Sequence, residues 1–283
     1  MKTRNISSLL YSQVMMMGGM QVKQPFPSRE VEQIDPFILL HHHQAGPSNH
    51  QRFEGVGPHP HRGFSPVTFV LEGSLRHRDT LGNDSVISAG GVQWMDAGKG
   101  LVHSERPLDP LAPLELIQLW INTPAHHKMD EPQYFPLDKK DVPQIASEDG
   151  LSSISLYSGE GLGLKGPISS NHEVFSAFIE MKKGGKMEIV LPAHHNAFLY
   201  TLDGLLAFED YGQVKPYCAV VFANDGDCLS WEALENTRLL LVSAAPLEEQ
   251  VVSHGPFVMT TEEEIWQAMK DYEDGKMGVL VES

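Results

Sequence analysis

Only two cysteines, Cys218 and Cys228, occur in the 283 residues, too few for the disulfide framework of a small secreted scaffold. They read as reduced, buried small hydrophobes in a cytoplasmic protein. Positive charge is scarce as well. The 21 Lys and Arg stand against 37 Asp and Glu, a formal net charge of −16 with no basic run, which argues against direct binding of DNA or RNA because phosphate neutralisation needs clustered cations. No apolar stretch approaches the length of a membrane span. The segment from Leu9 to Met20 is broken by Ser12, Gln13 and Gly18-Gly19, a poor core for a secretory leader. Turn residues, by contrast, are plentiful: 25 glycines and 19 prolines beside 41% hydrophobic residues favour many short strands over a helical bundle. The length exceeds that of a usual single domain, so two domains or one duplicated unit is expected.

The stretch Gly57 to Glu105 organises the chain. It opens with His59-Pro60-His61-Arg62-Gly63 and closes with His103-Ser104-Glu105. Each end places two metal-ligating side chains two residues apart, a spacing that turns both to the same side of an extended strand. Two such pairs on facing strands converge on three imidazoles and one carboxylate, His59, His61, His103 and Glu105. Ligands of that hardness suit a first-row divalent metal such as Fe, Mn, Co or Ni better than Ca or a Cys-ligated structural Zn. His-x-His alone is weak evidence in a chain with 14 histidines. The interval between the pairs is more informative, because it holds the short strands and glycine turns that a small barrel needs.

Strands are expected at Pro66 to Leu71, Ser74 to Arg78, Val86-Ile87, Val92 to Met95 and Leu101 to Glu105, with the strongest signal of the first half at Leu114 to Asn122. Asp96-Ala97-Gly98-Lys99-Gly100 has neither the Walker spacing nor a following long helix, so it is no phosphate loop. Ahead of the metal stretch, the apolar run Ile34 to Leu40 leads into His41-His42-His43. Alternation lets at most His41 and His43 act together there, and Gly46-Pro47-Ser48-Asn49 reads as a turn. Thr123 to Asp149 reads as a crossing segment between domains, with His126 and His127 exposed. The second half repeats the strand rhythm from Ser152 onward, but His194-His195 and Trp231-Glu232 lack the ligand spacing, so one metal site in two similar domains is expected. Near the end, Thr261-Glu262-Glu263-Glu264 is a capping box opening an amphipathic helix that stops at Asp274-Gly275.

His59-Pro60-His61-Arg62-Gly63-Phe64, Val70-Leu71-Glu72-Gly73, Gln93 to Gly100 and His103-Ser104-Glu105 together resemble the pirin family of the cupin superfamily. Asp35-Pro36-Phe37, Gln118 to Asn122 and His254 to Met259 extend the resemblance almost end to end. It implies an all-β bicupin of two antiparallel β-barrel (jelly-roll) domains: a metal-binding domain over residues 1–136, and a metal-free domain over 137–283 that carries the terminal helix. It implies iron(II) on His59, His61, His103 and Glu105, with Mn, Co, Ni, Zn or Cu as the other ions of the same row. Some pirins resemble quercetin 2,3-dioxygenases, which open a flavonol ring with O2; mammalian pirin is known instead as an iron-dependent transcriptional co-regulator. His41-His42-His43 departs from the acidic and aromatic sequence that many members carry, which would alter substrate preference if it borders the cavity.

Two functions follow as expectations. In the first, the chain is a monomeric, cytoplasmic, quercetinase-like oxidoreductase acting on a flavonol-like aromatic molecule and O2. Glu105 then serves as both ligand and catalytic base, Trp94, Met95 and Phe64 as candidate pocket wall, and Arg62 and His77 either stabilise anionic oxygen or satisfy neighbouring groups. In the second, the chain is an iron-binding, redox-sensitive regulatory protein that engages a protein partner without turnover.

Overall fold

Leu114–Asn122 is rich in Leu and Ile, and in the computed structural model, which describes residues 1–17, 20–45 and 53–282, it is the middle strand of a seven-stranded sheet. Strands buried on both faces read as continuous apolar runs. Its neighbours are Phe64–Glu72, with Val67 opposite Leu119, and Phe37–Ala45, with His42 opposite Ile117. Outward from these lie Val92–Asp96 and Gln133–Leu137 on one side, and Met20–Phe26 and Gln13–Met17 on the other. A second sheet of four strands runs in the order Val56–His61, Leu101–Pro107, Ser74–Asp79, Asp84–Ser88. Met20, Val70, Leu75, Ile87, Leu114 and Leu116 form a buried apolar cluster drawn from both sheets. Burying each such side chain contributes about 1.5–3 kcal/mol. The turn expected at Gly46 to Asn49 lies outside the described residues.

The same plan recurs in a second compact unit. Seven strands run in the order Ile6–Tyr11, Cys218–Phe222, Asn196–Thr201, Thr237–Ala244, Val174–Met181, Ser152–Ser158, Gln144–Ala146, beside four in the order Lys186–Val190, Cys228–Ala233, Leu206–Phe208, Gly212–Val214. Its core is large and aliphatic, with Ile179, Leu199, Leu229, Leu239 and Leu241 fully enclosed. Cys218, part of that core, and Cys228, the first residue of Cys228–Ala233, are buried and form no disulfide.

A single cut after residue 136 does not describe these units. One comprises Val14–Pro27, Pro36–Lys140 and Leu247–Ser283; the other comprises Met1–Gln13, Ser28–Asp35 and Asp141–Pro246. The physical reason is edge pairing at one end and apolar packing at the other. Ile6–Tyr11 pairs with the edge strand Cys218–Phe222, Leu9 opposite Val220. The helix Glu262–Glu273 buries Ile265 and Ala268 in a cluster with Val102, Phe257, Met259 and Met277, so it belongs with the first unit and not, as expected, with residues 137–246. Its capping box is formed as anticipated: Glu264 N–H donates to Thr261 Oγ1, and the Thr261 N–H to Glu264 Oε2. The expected crossing segment also contributes a sheet strand, Gln133–Leu137, with Phe135 opposite Trp94. His126 is exposed there, and His127 bonds Asp130 through Nδ1 at 2.6 Å.

Candidate metal centre

His59 and His61 stand two apart on Val56–His61, and the neighbouring strand Leu101–Pro107 sets His103 opposite His59. Antiparallel pairing therefore does what the spacing requires. The ligand-capable atoms of the three histidines lie within 4.8 Å of one another, with ring centroids 4.3 Å apart for His59 and His103 and 5.0 Å for His61 and His103. Tight turns hold this corner. Gly63, directly after the first ligand pair, adopts φ +83°, and a Cβ there would meet the Val258 carbonyl oxygen at 2.0 Å, so glycine is required on both counts.

Backbone carbonyls orient two of the rings. His59 Nδ1 lies 2.8 Å from the Gly57 oxygen and His61 Nδ1 3.4 Å from the Pro256 oxygen. A carbonyl only accepts, so each Nδ1 carries the proton and each Nε2 keeps its lone pair. His103 Nδ1 faces His77 Nδ1 at 3.4 Å, and His103 Nε2 is buried with no hydrogen-bond partner. An unpartnered buried polar atom costs about 1–3 kcal/mol. Burial, reinforced by the neighbouring His59, pulls the His61 imidazole down to about 3, and burial with the adjacent histidines holds His103 well below its usual value. Neutral imidazoles with converging lone pairs are what metal ligation needs. The donor set fits a divalent metal ion.

Glu105 does not join the group of converging atoms. It lies past a register shift in the pairing of its strand with Val56–His61. Its Oε1 accepts from Thr68 Oγ1 at 3.2 Å and its Oε2 from Gln118 Nε2 at 3.3 Å. It still lines the same cavity as His59 and His61, a space of about 300 Å3 walled by Met20, Leu39, Phe53, Leu116 and Trp120. Among the described residues no other group of three His, Cys, Asp or Glu has ligand spacing. A larger cleft of about 1070 Å3 in the second unit, lined by Phe208, Trp231 and several glutamates, contains no histidine.

The histidine triplet divides by face, as alternation requires. His41 and His43 line the cavity, whereas His42 turns away to bond Glu115 at 2.9 Å. Gln24 Oε1 holds His41 Nε2 at 2.6 Å, and His43 Nδ1 is buried without a partner. Burial lowers His41 to about 4, and burial together with the other two imidazoles lowers His43 to about 3. Both are neutral at physiological pH.

Several expected wall residues are elsewhere. Trp94, Met95 and Phe64 are buried but do not line the cavity; Trp94 Nε1 donates to Asp96, and Phe64 instead backs Trp120 with ring centroids 4.3 Å apart. Trp120 and Phe53 supply the aromatic wall instead; Leu116, Gln118 and Trp120 share one face by period-2 alternation, but an apolar run buried on both sides carries no mark of which face lines the cavity. Arg62 is held from the cavity by Asp271 at 2.9 Å and by the Lys99 carbonyl. The opposing pull of burial notwithstanding, bonds from Lys276, Gln267 and Arg62 hold the Asp271 carboxyl down at about 2.

Comparison with known proteins now decides the family. A profile described as Pirin matches residues 19–121, and one described as the Pirin C-terminal cupin domain matches 177–278. The chain belongs to the pirin family. A pirin-like protein of Solanum lycopersicum is 35% identical over 92% of this chain and 88% of its own length, and the pirin of Homo sapiens is 34% identical over 92% and 89%. A crystal structure of quercetin 2,3-dioxygenase from Acinetobacter baumannii superposes with a TM-score of 0.90 at 30% identity, covering 99% of this chain and 100% of that one. The two-sheet plan of each unit is accordingly the cupin barrel, and the pirin chain is a bicupin.

Proposed function

We propose that His59, His61, His103 and Glu105 hold a first-row divalent metal ion, iron(II) foremost, in a dioxygenase that opens a flavonol-like ring with O2. The observation that carries this reading is the apolar cavity of about 300 Å3 built directly onto the histidine cluster, at the lower end of the range for small-molecule sites. The relative of known structure that bears the quercetin 2,3-dioxygenase name supports it. A metal ion held by these residues would supply Lewis acidity toward an anionic flavonol.

The chain's own residues do the rest. Leu39, Leu116 and Trp120 enclose an aromatic ring and exclude water from it. Glu105, aimed by Thr68 and Gln118, accepts the 3-hydroxyl proton at a carboxylate oxygen as the ring binds. His41 and His43 present neutral nitrogens to the hydroxyl groups of the ligand. The metal-bearing unit is the one containing Pro36–Lys140, and the other unit is metal-free. Two buried, unpaired cysteines suit a reducing cytoplasm.

One sample tests the reading: anaerobic metal analysis, then flavonol titration, then admission of O2. Ring opening at full metal occupancy is expected. Full occupancy with bound flavonol and no turnover would overturn the enzyme and favour the iron-binding regulatory protein, whose signature is partner capture that differs between oxidised and reduced metal.

A further inference from the structure

We infer that His77 and Asp79 form a side-chain relay that fixes the tautomer of His103, so that a carboxylate two side chains away decides which ring nitrogen faces the metal. This rests on the ligand reading above. His59 and His61 are oriented by backbone carbonyls, which cannot reverse their role. His103 alone of the three is oriented by another ring.

The relay has a defined direction. Asp79 is 3% exposed, and its Oδ1 accepts from the backbone N–H groups of Leu81 at 2.9 Å and Asn83 at 3.0 Å. Its Oδ2 accepts from Asn83 Nδ2 at 2.8 Å and lies 2.9 Å from His77 Nε2. A carboxylate receiving three amide N–H groups is committed as an acceptor, so His77 Nε2 donates. When His77 carries a single proton, that proton is on Nε2 and its Nδ1 offers a lone pair, so the proton between the two rings at 3.4 Å is on His103 Nδ1. That assignment leaves His103 Nε2 deprotonated, which is the buried nitrogen that lacks a protein partner.

The parts are held rigidly enough for this to matter. His77 and His103 are 1% and 2% exposed. Tyr134 stacks on His77 with centroids 4.0 Å apart and planes within 6°, and Ser85 fixes the Tyr134 hydroxyl at 2.7 Å. The strand Ser74–Asp79 pairs with the ligand strand so that Asp79 is opposite His103 and His77 opposite Glu105. Residues that orient metal-bound imidazoles typically alter metal affinity 10–100-fold when changed.

The discriminating variant is Asp79→Asn. Its carbonyl keeps the two backbone donors, while its amide N–H groups turn to His77 and to Asn83, whose own amide flips to accept; His77 must then accept at Nε2 and donate from Nδ1. His103 must then accept at Nδ1 and carry its proton on Nε2, toward the cluster. His77→Gln keeps the polarity, since one amide donates to Asp79 and accepts from His103. In 15N-histidine-labelled, metal-free protein, NMR is expected to show His103 as the Nδ1–H tautomer in wild type and His77→Gln, and as Nε2–H in Asp79→Asn. Zinc(II) affinity, measured against a chromophoric chelator, is expected to fall roughly 10–100-fold in Asp79→Asn and only a few-fold in His77→Gln. An Nε2–H tautomer in wild type, unchanged zinc affinity in Asp79→Asn, or an equal loss in both variants overturns the relay. If Asp79→Asn does not fold, the wild-type tautomer and His77→Gln still decide. Wild type that binds no zinc refutes the metal reading instead, while the tautomer continues to test the relay.

Discussion

Glu105 is two residues beyond His103, yet its oxygens are engaged by Thr68 and Gln118 and not by the histidines. That placement separates its two suggested roles experimentally. Glu105→Gln keeps an oxygen for Thr68 but removes the base, so kcat is expected to fall by about 10²–10⁴-fold, with metal retained by the three imidazoles. Loss of metal equal to that of His103→Ala would show that ligation dominates. Trp120 tests the wall in the same way. Trp120→Ala removes an aromatic face beside His61, at a ring distance of 5.5 Å, and is expected to weaken flavonol binding about tenfold, or 1.4 kcal/mol, without changing metal content. Equal flavonol affinity in the variant would place the ligand elsewhere.

At the level of elements, the helix Glu262–Glu273 and the strand carrying His61 are joined by the Arg62–Asp271 pair, both side chains almost enclosed. Arg62→Ala removes one charged hydrogen bond from Asp271, which keeps Lys276 at 2.8 Å, and is expected to destabilise the protein by about 2 kcal/mol. Thr261→Ala removes only a cap and is expected to cost about 1 kcal/mol. Urea midpoints order the two, and a reversed order would mean that the pair contributes little. The capping box was legible because it is written in four consecutive residues. So were His59, His61 and His103, since a strand converts a spacing of two into a shared face. Leu114–Asn122 was recognisable as a strand, but its cavity face was not, because a strand buried on both sides hides which alternate positions look inward. Pro256 could not be tied to His61 from spacing at all; only the folded chain brings that carbonyl to the imidazole.

For the molecule as a whole, buried imidazoles held below their usual value set the response to acid; among the described residues His195 is one, lowered chiefly by burial, and four more lie at or beside the cluster. His41 is lowered to about 4, His43 and His61 to about 3, and His103 well below its usual value, in each case chiefly by burial. Unfolded histidine titrates near 6.5. Below that pH the unfolded chain binds protons that the folded chain refuses, so stability is complete above about pH 6.5 and is lost as pH falls toward 3–4. The slope is about 1.4 kcal/mol per pH unit for each imidazole. Metal-free protein is therefore expected to show a lower urea midpoint at pH 5.5 than at pH 7.5, and His43→Gln a shallower decline; a midpoint constant across that range would refute buried neutral histidines. Synthesis of the chain meets another constraint. The unit that holds the histidine cluster takes in Leu247–Ser283 as well as Pro36–Lys140, and Pro256, Val258 and Asp271 bond to His61, Lys128 and Arg62. At about 5–20 residues per second, a ribosome that has finished the cluster's own strands works on the order of ten seconds more before these partners emerge. A nascent chain can therefore pair the strands of the first barrel, all within Gln13–Leu137, before Pro256 emerges, and until then the cluster holds three histidines without the carbonyl that aims one of them.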